Sequence, residues 1–164
     1  MKITLASVHA SGSASGVASG KAARSRSKSA PCDALVEDYG ARISRFMGWE
    51  AMRFGSEAAL LEWVRRQQGR TSPYLVLLDG RGKQFASEQF AEHVGGLRDR
   101  GAQQIVFAIG PADGWSKAAL AEADLLMSVG SMTLPHELAR AVVAEQIYRA
   151  LTILAGHPYH SGHG

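Results

Sequence analysis

The residues best suited to chemistry gather towards the carboxyl end of this 164-residue chain. Glu145 and Arg149 stand four apart, which on a helix puts a carboxylate and a guanidinium on one face. His136 precedes them, and Tyr159 and His160 follow in the run HPYH. Groups of these types move protons or steady a developing negative charge. The plainer reading of Glu145 and Arg149 is an exposed ion pair worth a few tenths of a kcal/mol. For His136 the plainer reading is capping or packing in the first turn of a helix. His157, His160 and His163 recur every third residue, yet neither cysteine nor carboxylate accompanies them. Pro158 and Gly162 also interrupt any helix that would align them, so no metal site is expected.

Such side chains need a scaffold, and the apolar pattern supplies one. Met1–Val8 reads as a strand, and Asp33–Phe46 as a helix through Leu35, Val36, Tyr39, Ile43 and Phe46. Trp49–Phe54 reads as a short strand and Glu57–Gln67 as a helix. Tyr74–Asp79 and Gln104–Ile109 are nearly continuous apolar runs, the mark of strands buried on both faces. Ser87–Arg98 and Ser116–Glu122 read as helices between strands, with Leu125–Val129 as a last strand. A final helix runs from Pro135 to about Ala155, with Leu138, Val142, Ile147, Leu151 and Leu154 as its apolar stripe, Gly156 past its end and Pro158 beyond. Strands alternating with helices predict an α/β domain with a mainly parallel sheet flanked by helices.

Ligands of such sheets bind beyond the carboxyl ends of the strands. Those ends are here Leu78–Lys83, Gly110–Gly114 and Gly130–Pro135, all rich in glycine or small residues. They offer three backbones able to approach a nucleotide-like ligand, although glycine at a strand end also serves plain turns.

Composition suits one soluble domain, with 46% hydrophobic and 20% charged residues. No run of about 18 apolar residues occurs, so no membrane span is expected. The single cysteine, Cys32, excludes a disulfide within the chain and suits a reducing, cytoplasmic setting. The net charge of +3 invites a nucleic-acid partner, but residues 1–31 hold five cations and no acid. The other 13 basic residues face 15 acidic ones. Residues 10–31 carry seven serines and four cations and nothing to bury, and are expected to form a disordered insert. That insert reads either as a solvated linker or as a basic arm touching phosphates.

Several motifs together carry a family resemblance: LLDGRGK (Leu77–Lys83), IGPADG (Ile109–Gly114), SMTLPHELAR (Ser131–Arg140), AEQIYRA (Ala144–Ala150) and HPYH (His157–His160). In order and near spacing they resemble the ribosomal RNA large subunit methyltransferase H family, small enzymes of the SPOUT class. The likeness is dense from Tyr74 to His160 and looser before. It implies a single SPOUT-type α/β domain over residues 1–164 with a carboxyl-terminal trefoil knot, a threading that ordinary connection rules disfavour. It also implies methyl transfer from S-adenosyl-L-methionine to N3 of a pseudouridine in 23S rRNA, on the assembled ribosome, by a homodimer. The family's cofactor contacts map to Leu78, Gly110, Val129, Gly130, Ser131, Met132, Thr133 and Leu134. Simple core packing is the competing role of Val129 and Leu134.

In that reaction the sulfonium already activates the methyl group, so alignment does much of the work. The imide N3–H must also be lost, which calls for a base or for a group that stabilises the anion. Candidates are His136, Glu145, Arg149, Tyr159 and His160, with Tyr159 and His160 also suited to stacking on a flipped-out base. A dimer would let one chain hold the cofactor while the other chain's tail completes the substrate site. Pro111 stands where the family commonly has a second glycine and removes a backbone donor. Ser161 replaces a common basic residue, and the stretch between Phe54 and Tyr74 is short. These departures leave room for a ribosome-binding protein that kept the fold without catalysis, or for another RNA target such as a tRNA base.

Overall fold

The computed structural model of the protein describes residues 1–9, 30–67 and 71–161. Five strands and five helices alternate: β1 Lys2–Val8, α1 Ala30–Ile43, β2 Gly48–Phe54, α2 Glu57–Arg66, β3 Tyr74–Lys83, α3 Ser87–Asp99, β4 Gln104–Ile109, α4 Lys117–Glu122, β5 Leu125–Met127 and α5 His136–Leu154. A 3₁₀ turn, Pro158–Ser161, follows. The strands form one parallel sheet in the order β2-β1-β4-β3-β5.

Alternation along the strands builds a core on each face. Ile3, Leu5, Val76, Ile105, Phe107 and Ile109 point to one side, against Val36 and Ile43 of α1, Phe90 and Val94 of α3, and Ile147 and Leu151 of α5. Ala6, Val8, Leu75, Leu77, Val106 and Ala108 point to the other, against Leu60, Leu61 and Val64 of α2 and Trp115 and Ala119 beside α4. The result is three layers, as the continuous apolar runs require. No described helix is long and apolar enough to cross a membrane.

Several boundaries depart from the sequence reading for definite reasons. α1 begins at Ala30, with Pro31 in its first turn, where proline's missing N–H costs nothing. The last two residues of the expected insert 10–31 are therefore helical, and 10–29 lie outside the described residues. α1 ends at Ile43, leaving Phe46 in a following turn and 39% exposed. β3 continues past Asp79 because the chain re-forms its pairing with β5, from Leu78↔Met127 to Lys83↔Met127 across an irregularity. β5 stops at Met127 because the Ser128 amide turns to the Lys83 carbonyl (2.9 Å).

α5 shows the largest difference. Its buried face is Arg140, Ala141, Val143, Ala144, Ile147, Tyr148, Ala150 and Leu151, because the helix packs between α1 and α3 and needs small residues for close approach. The expected stripe is split: Leu138 is 40% exposed and Val142 only half-buried, on the side of α5 that carries Glu145 and Arg149.

Gly82 marks where β3 crosses β5. A Cβ there would lie 2.5 Å from the Met127 nitrogen and 2.6 Å from the Leu126 carbonyl carbon, both backbone atoms that cannot turn aside. Gly82→Ala is expected to destabilise the fold by about 1–3 kcal/mol, the usual cost of overpacking. Urea unfolding measures it, and a midpoint equal to the parent's would contradict the close approach.

Candidate cofactor cavity and carboxyl-terminal cluster

The irregular end of β3 and the loops after β4 and β5 line a cavity of about 490 Å³ at the carboxyl end of the sheet, within the range of small-molecule sites. Leu78, Gly110, Val129, Gly130, Ser131, Met132, Thr133 and Leu134 all line it. Its rim turns at Gly114, whose φ of +82° suits only glycine and whose amide donates to the Pro111 carbonyl (2.9 Å). The last loop is pinned locally, with the Ser128 hydroxyl donating to the Gly130 carbonyl at 2.8 Å. Val129 is 38% exposed and Met132 82% exposed, so Val129 is not a core residue in this chain; Leu134 is half-buried.

One wall residue escaped the sequence reading. Trp115 is buried, lines the cavity and donates its indole N–H to the Leu78 carbonyl (2.9 Å). Its ring also packs on Gly110, where a Cβ would lie 2.8 Å from the Trp115 Cε2 atom. The only signal was an aromatic residue directly after a glycine-rich turn at a strand end.

His136 lies at the start of α5 and also lines the cavity. Its Nδ1 is 3.1 Å from the Gly110 carbonyl, while Nε2 is buried without a partner among the described residues. An Nδ1–H that donates to that carbonyl leaves Nε2 as the acceptor of the neutral ring. Its outer face meets the ring of His9, centroids 4.9 Å apart. Beyond His9 lies a charge network that the sequence did not reveal. Arg140, 4% exposed, donates from Nη1 to Asp33 and to Glu137, both at 2.6 Å, and Arg53 bonds the same two carboxylates. His9, His136 and Glu137 also have ligand-like spacing. However, Arg53 and Arg140 already hold the Glu137 carboxylate, and Arg53 Nη1 lies 3.2 Å from His9 Nε2. Two guanidiniums oppose a divalent ion there.

Burial pushes the His136 imidazole below its ordinary value, and the neighbouring His9 adds to the effect. His9 is lowered likewise, by burial and then by Arg53. The folded state therefore binds fewer protons than the unfolded chain just below pH 6.5, and stability falls as pH drops through that window. Thermal midpoints recorded from pH 7.5 to 5.5 are expected to decline, less steeply for His9→Gln. An equal slope in both proteins would count against this account.

Further along α5, Glu145 is saturated with donors. Arg149 reaches one carboxylate oxygen from Nε (3.0 Å) and Nη2 (2.6 Å), and the Tyr159 hydroxyl donates to the same oxygen at 3.2 Å. Gln146 donates to the other oxygen at 2.6 Å. The Arg149 guanidinium sits over the Tyr159 ring, which meets Tyr148 edge-on. Burial, then hydrogen bonding with Tyr39, then the Glu145 charge raise the Tyr159 phenol well above its ordinary value, so it stays protonated. His160 lies in the closing 3₁₀ turn, but the expectation for its side chain falls outside the described residues, as does His163. None of Glu145, Arg149 and Tyr159 lines the cavity. Glu145 stands nine residues beyond His136 on α5, roughly 14 Å along a helix axis. Within one chain the expected site is thus in two parts.

A doubly wound parallel sheet with a glycine-lined cavity beyond its carboxyl ends defines an α/β ligand-binding domain. Residues 22–160 match the family described as "Predicted SPOUT methyltransferase", and the chain belongs to that family. Ribosomal RNA large subunit methyltransferase H of Koribacter versatilis is 51% identical over 138 residues, 84% of this chain and 94% of that protein. Its namesake in Brucella anthropi is 39% identical over 156 residues, 84% of this chain and 95% of that protein. Among solved structures, the SpoU methyltransferase AviRb from Streptomyces viridochromogenes superposes with a TM-score of 0.54 at 12% identity, over 95% of this chain and 61% of that one. This chain thus spans about three-fifths of AviRb, and the likeness concerns the fold alone.

Proposed function

We propose that the protein transfers a methyl group from S-adenosyl-L-methionine to N3 of a pseudouridine in 23S rRNA, on the assembled ribosome in the cytoplasm, as a homodimer. The observation that carries this reading is the 490 Å³ cavity lined by all eight residues that the family resemblance assigns to the cofactor. Relatives named for ribosomal RNA methylation, at 51% and 39% identity, support the RNA substrate.

The cavity suits the ligand. Apolar walls from Val129, Met132 and Leu134 flank backbone groups of Leu78, Gly110 and Gly130–Thr133, an arrangement that holds a nucleoside by its ring faces and edge. When bound, the cofactor supplies a methyl group activated on a sulfonium. Proton loss at N3 falls to the carboxyl-terminal cluster. Tyr159 is held protonated and Glu145 is fully engaged, so neither is a free base. Among the described side chains of that cluster Arg149 remains, a cation that stabilises the imide anion as it forms while the N3 proton passes to solvent.

The two-part site favours the homodimer. α5 leaves Leu138 exposed and Val142 half-buried beside Glu145 and Arg149, and the cavity loop exposes Val129 and Met132. A second copy covering this apolar stripe would bring its own carboxyl-terminal cluster to the cavity. Two measurements test the proposal: titration calorimetry of the protein with S-adenosyl-L-methionine, and mass spectrometry of 23S rRNA from a strain lacking the gene. Binding, together with a lost methyl on one large-subunit pseudouridine, is expected. No binding at millimolar cofactor would favour an RNA-binding protein without catalysis, and an unchanged 23S rRNA would move the target to another RNA.

A further inference from the structure

We infer that Trp115 is a positioning residue that sets the width of the cofactor slot, and that Gly110 is glycine in this chain to make room for its indole. The inference rests on the cofactor reading above and assigns a role to a side chain outside the family's contact set.

Four observations converge on Trp115. β3 and β4 stay paired up to Leu78↔Ile109 and separate beyond, where the cavity opens. The indole stands in that notch, its N–H fixed on the Leu78 carbonyl at 2.9 Å and its ring against Gly110. A side chain at Gly110 would meet three indole atoms at 2.8, 3.0 and 3.1 Å, all belonging to Trp115. Finally, the indole cannot easily withdraw, because its chain neighbour is clamped. Ser116 gives its amide and hydroxyl to the Glu57 carboxylate of α2 while its Oγ accepts the Ala119 amide, capping α4. Trp115 itself packs in the core beneath, with Leu77, Ala108 and Ala119.

The indole is therefore a strut between two backbones that both face the ligand. It holds the Leu78 carbonyl and the Gly110 main chain at a fixed separation before any ligand arrives, which is preorganisation in its plainest form. Backbone freedom at Gly110 is not the reason for glycine there, since its φ is not positive. Van der Waals room for the indole is.

The test uses the full-length protein and S-adenosyl-L-methionine as the probe, with calorimetric affinity as the first readout. Trp115→Phe keeps an aromatic ring but removes the N–H donor together with the second ring of the indole, which lies against Gly110. It is expected to weaken binding about fivefold, the worth of one buried hydrogen bond, and to raise KM for the cofactor with kcat at saturation held within about twofold. Gly110→Ala is expected to weaken binding about tenfold or more through overpacking, but less than threefold in a Trp115→Leu background, a coupling that a double-mutant cycle reads directly. Equal affinity of Trp115→Phe and parent, or an equal Gly110→Ala effect in both backgrounds, overturns the inference while leaving the cofactor reading intact. If Gly110→Ala fails to fold, Trp115→Phe alone decides. Failure of the parent protein to bind removes both readings together.

Discussion

Glu145→Ala is expected to lower methyl transfer about a hundredfold or more, with affinity for S-adenosyl-L-methionine within about twofold of the parent. The asymmetry follows from where Glu145 stands. It does not line the cavity, so the cofactor should not sense its loss. It does fix the guanidinium of Arg149 through two bonds and the hydroxyl of Tyr159 through a third. Without it, Arg149 keeps its charge but loses its aim, and a misplaced cation stabilises an imide anion poorly. Arg149→Lys should fail almost as badly, because an ammonium cannot reproduce the planar fork held by Glu145 and laid over Tyr159.

Mixing experiments then locate the site. Ser131→Trp is expected to block the cavity, and Glu145→Ala to disable the cluster, each leaving the other half intact. In a symmetric homodimer, equal mixing makes half the molecules mixed pairs, each with one sound cavity facing one sound cluster. Activity should return to about a quarter of the parent's. No recovery after complete subunit exchange would place cavity and cluster in one chain and defeat the composite arrangement.

The sequence made some of this architecture plain and hid the rest for physical reasons. Gln104–Ile109 was readable as β4 to the residue, because a strand buried on both faces is a short continuous apolar run bounded by turns. The three cavity loops were equally open to view, since glycine and small residues collect where parallel strands end. Local pattern failed where pairing or burial depends on distant chain. Gly80–Lys83 carries no strand signal, and only the return to Met127 extends β3. α5 buries Arg140 and three alanines beside Ile147 and Leu151 while Leu138 stays exposed, because it is wedged between two helices. The division of the site is invisible to spacing: His136 and Glu145 share a helix but face different surroundings.

Arg140 makes the sharpest case, and its replacement carries the second large effect. Arg140→Met is expected to cost about 2 kcal/mol at pH 7. Stranding a partner of a buried ion pair commonly costs about 3–5 kcal/mol, but here the side chains of Asp33 and Glu137 are 36% and 25% exposed, and Arg53 still reaches both. Solvent and the remaining guanidinium therefore screen part of the loss. Methionine fills most of the volume, so the penalty comes from uncompensated carboxylates rather than from a void. Adding Asp33→Asn to Arg140→Met should then restore part of the stability, whereas a packing defect would leave the double variant no better.

Acid separates the two causes again. Burial raises the Asp33 carboxyl, but the hydrogen bond from Arg140 and the charge of Arg53 outweigh it and hold the group below its ordinary 3.8. The stabilisation is present above that value and is lost as pH falls through the lower folded one. The gap between parent and Arg140→Met should therefore begin to close as pH falls below about 4 and vanish below the lowered folded value. A gap that stays constant from pH 7 to pH 3 would mean that Arg140 acts through packing alone. Because Arg140 joins the start of α1 to the first turn of α5, where His136 meets the Gly110 carbonyl, the same variant should bind the cofactor more weakly at pH 7. That is the expected signature of a charge network holding the wall of a site that it does not touch.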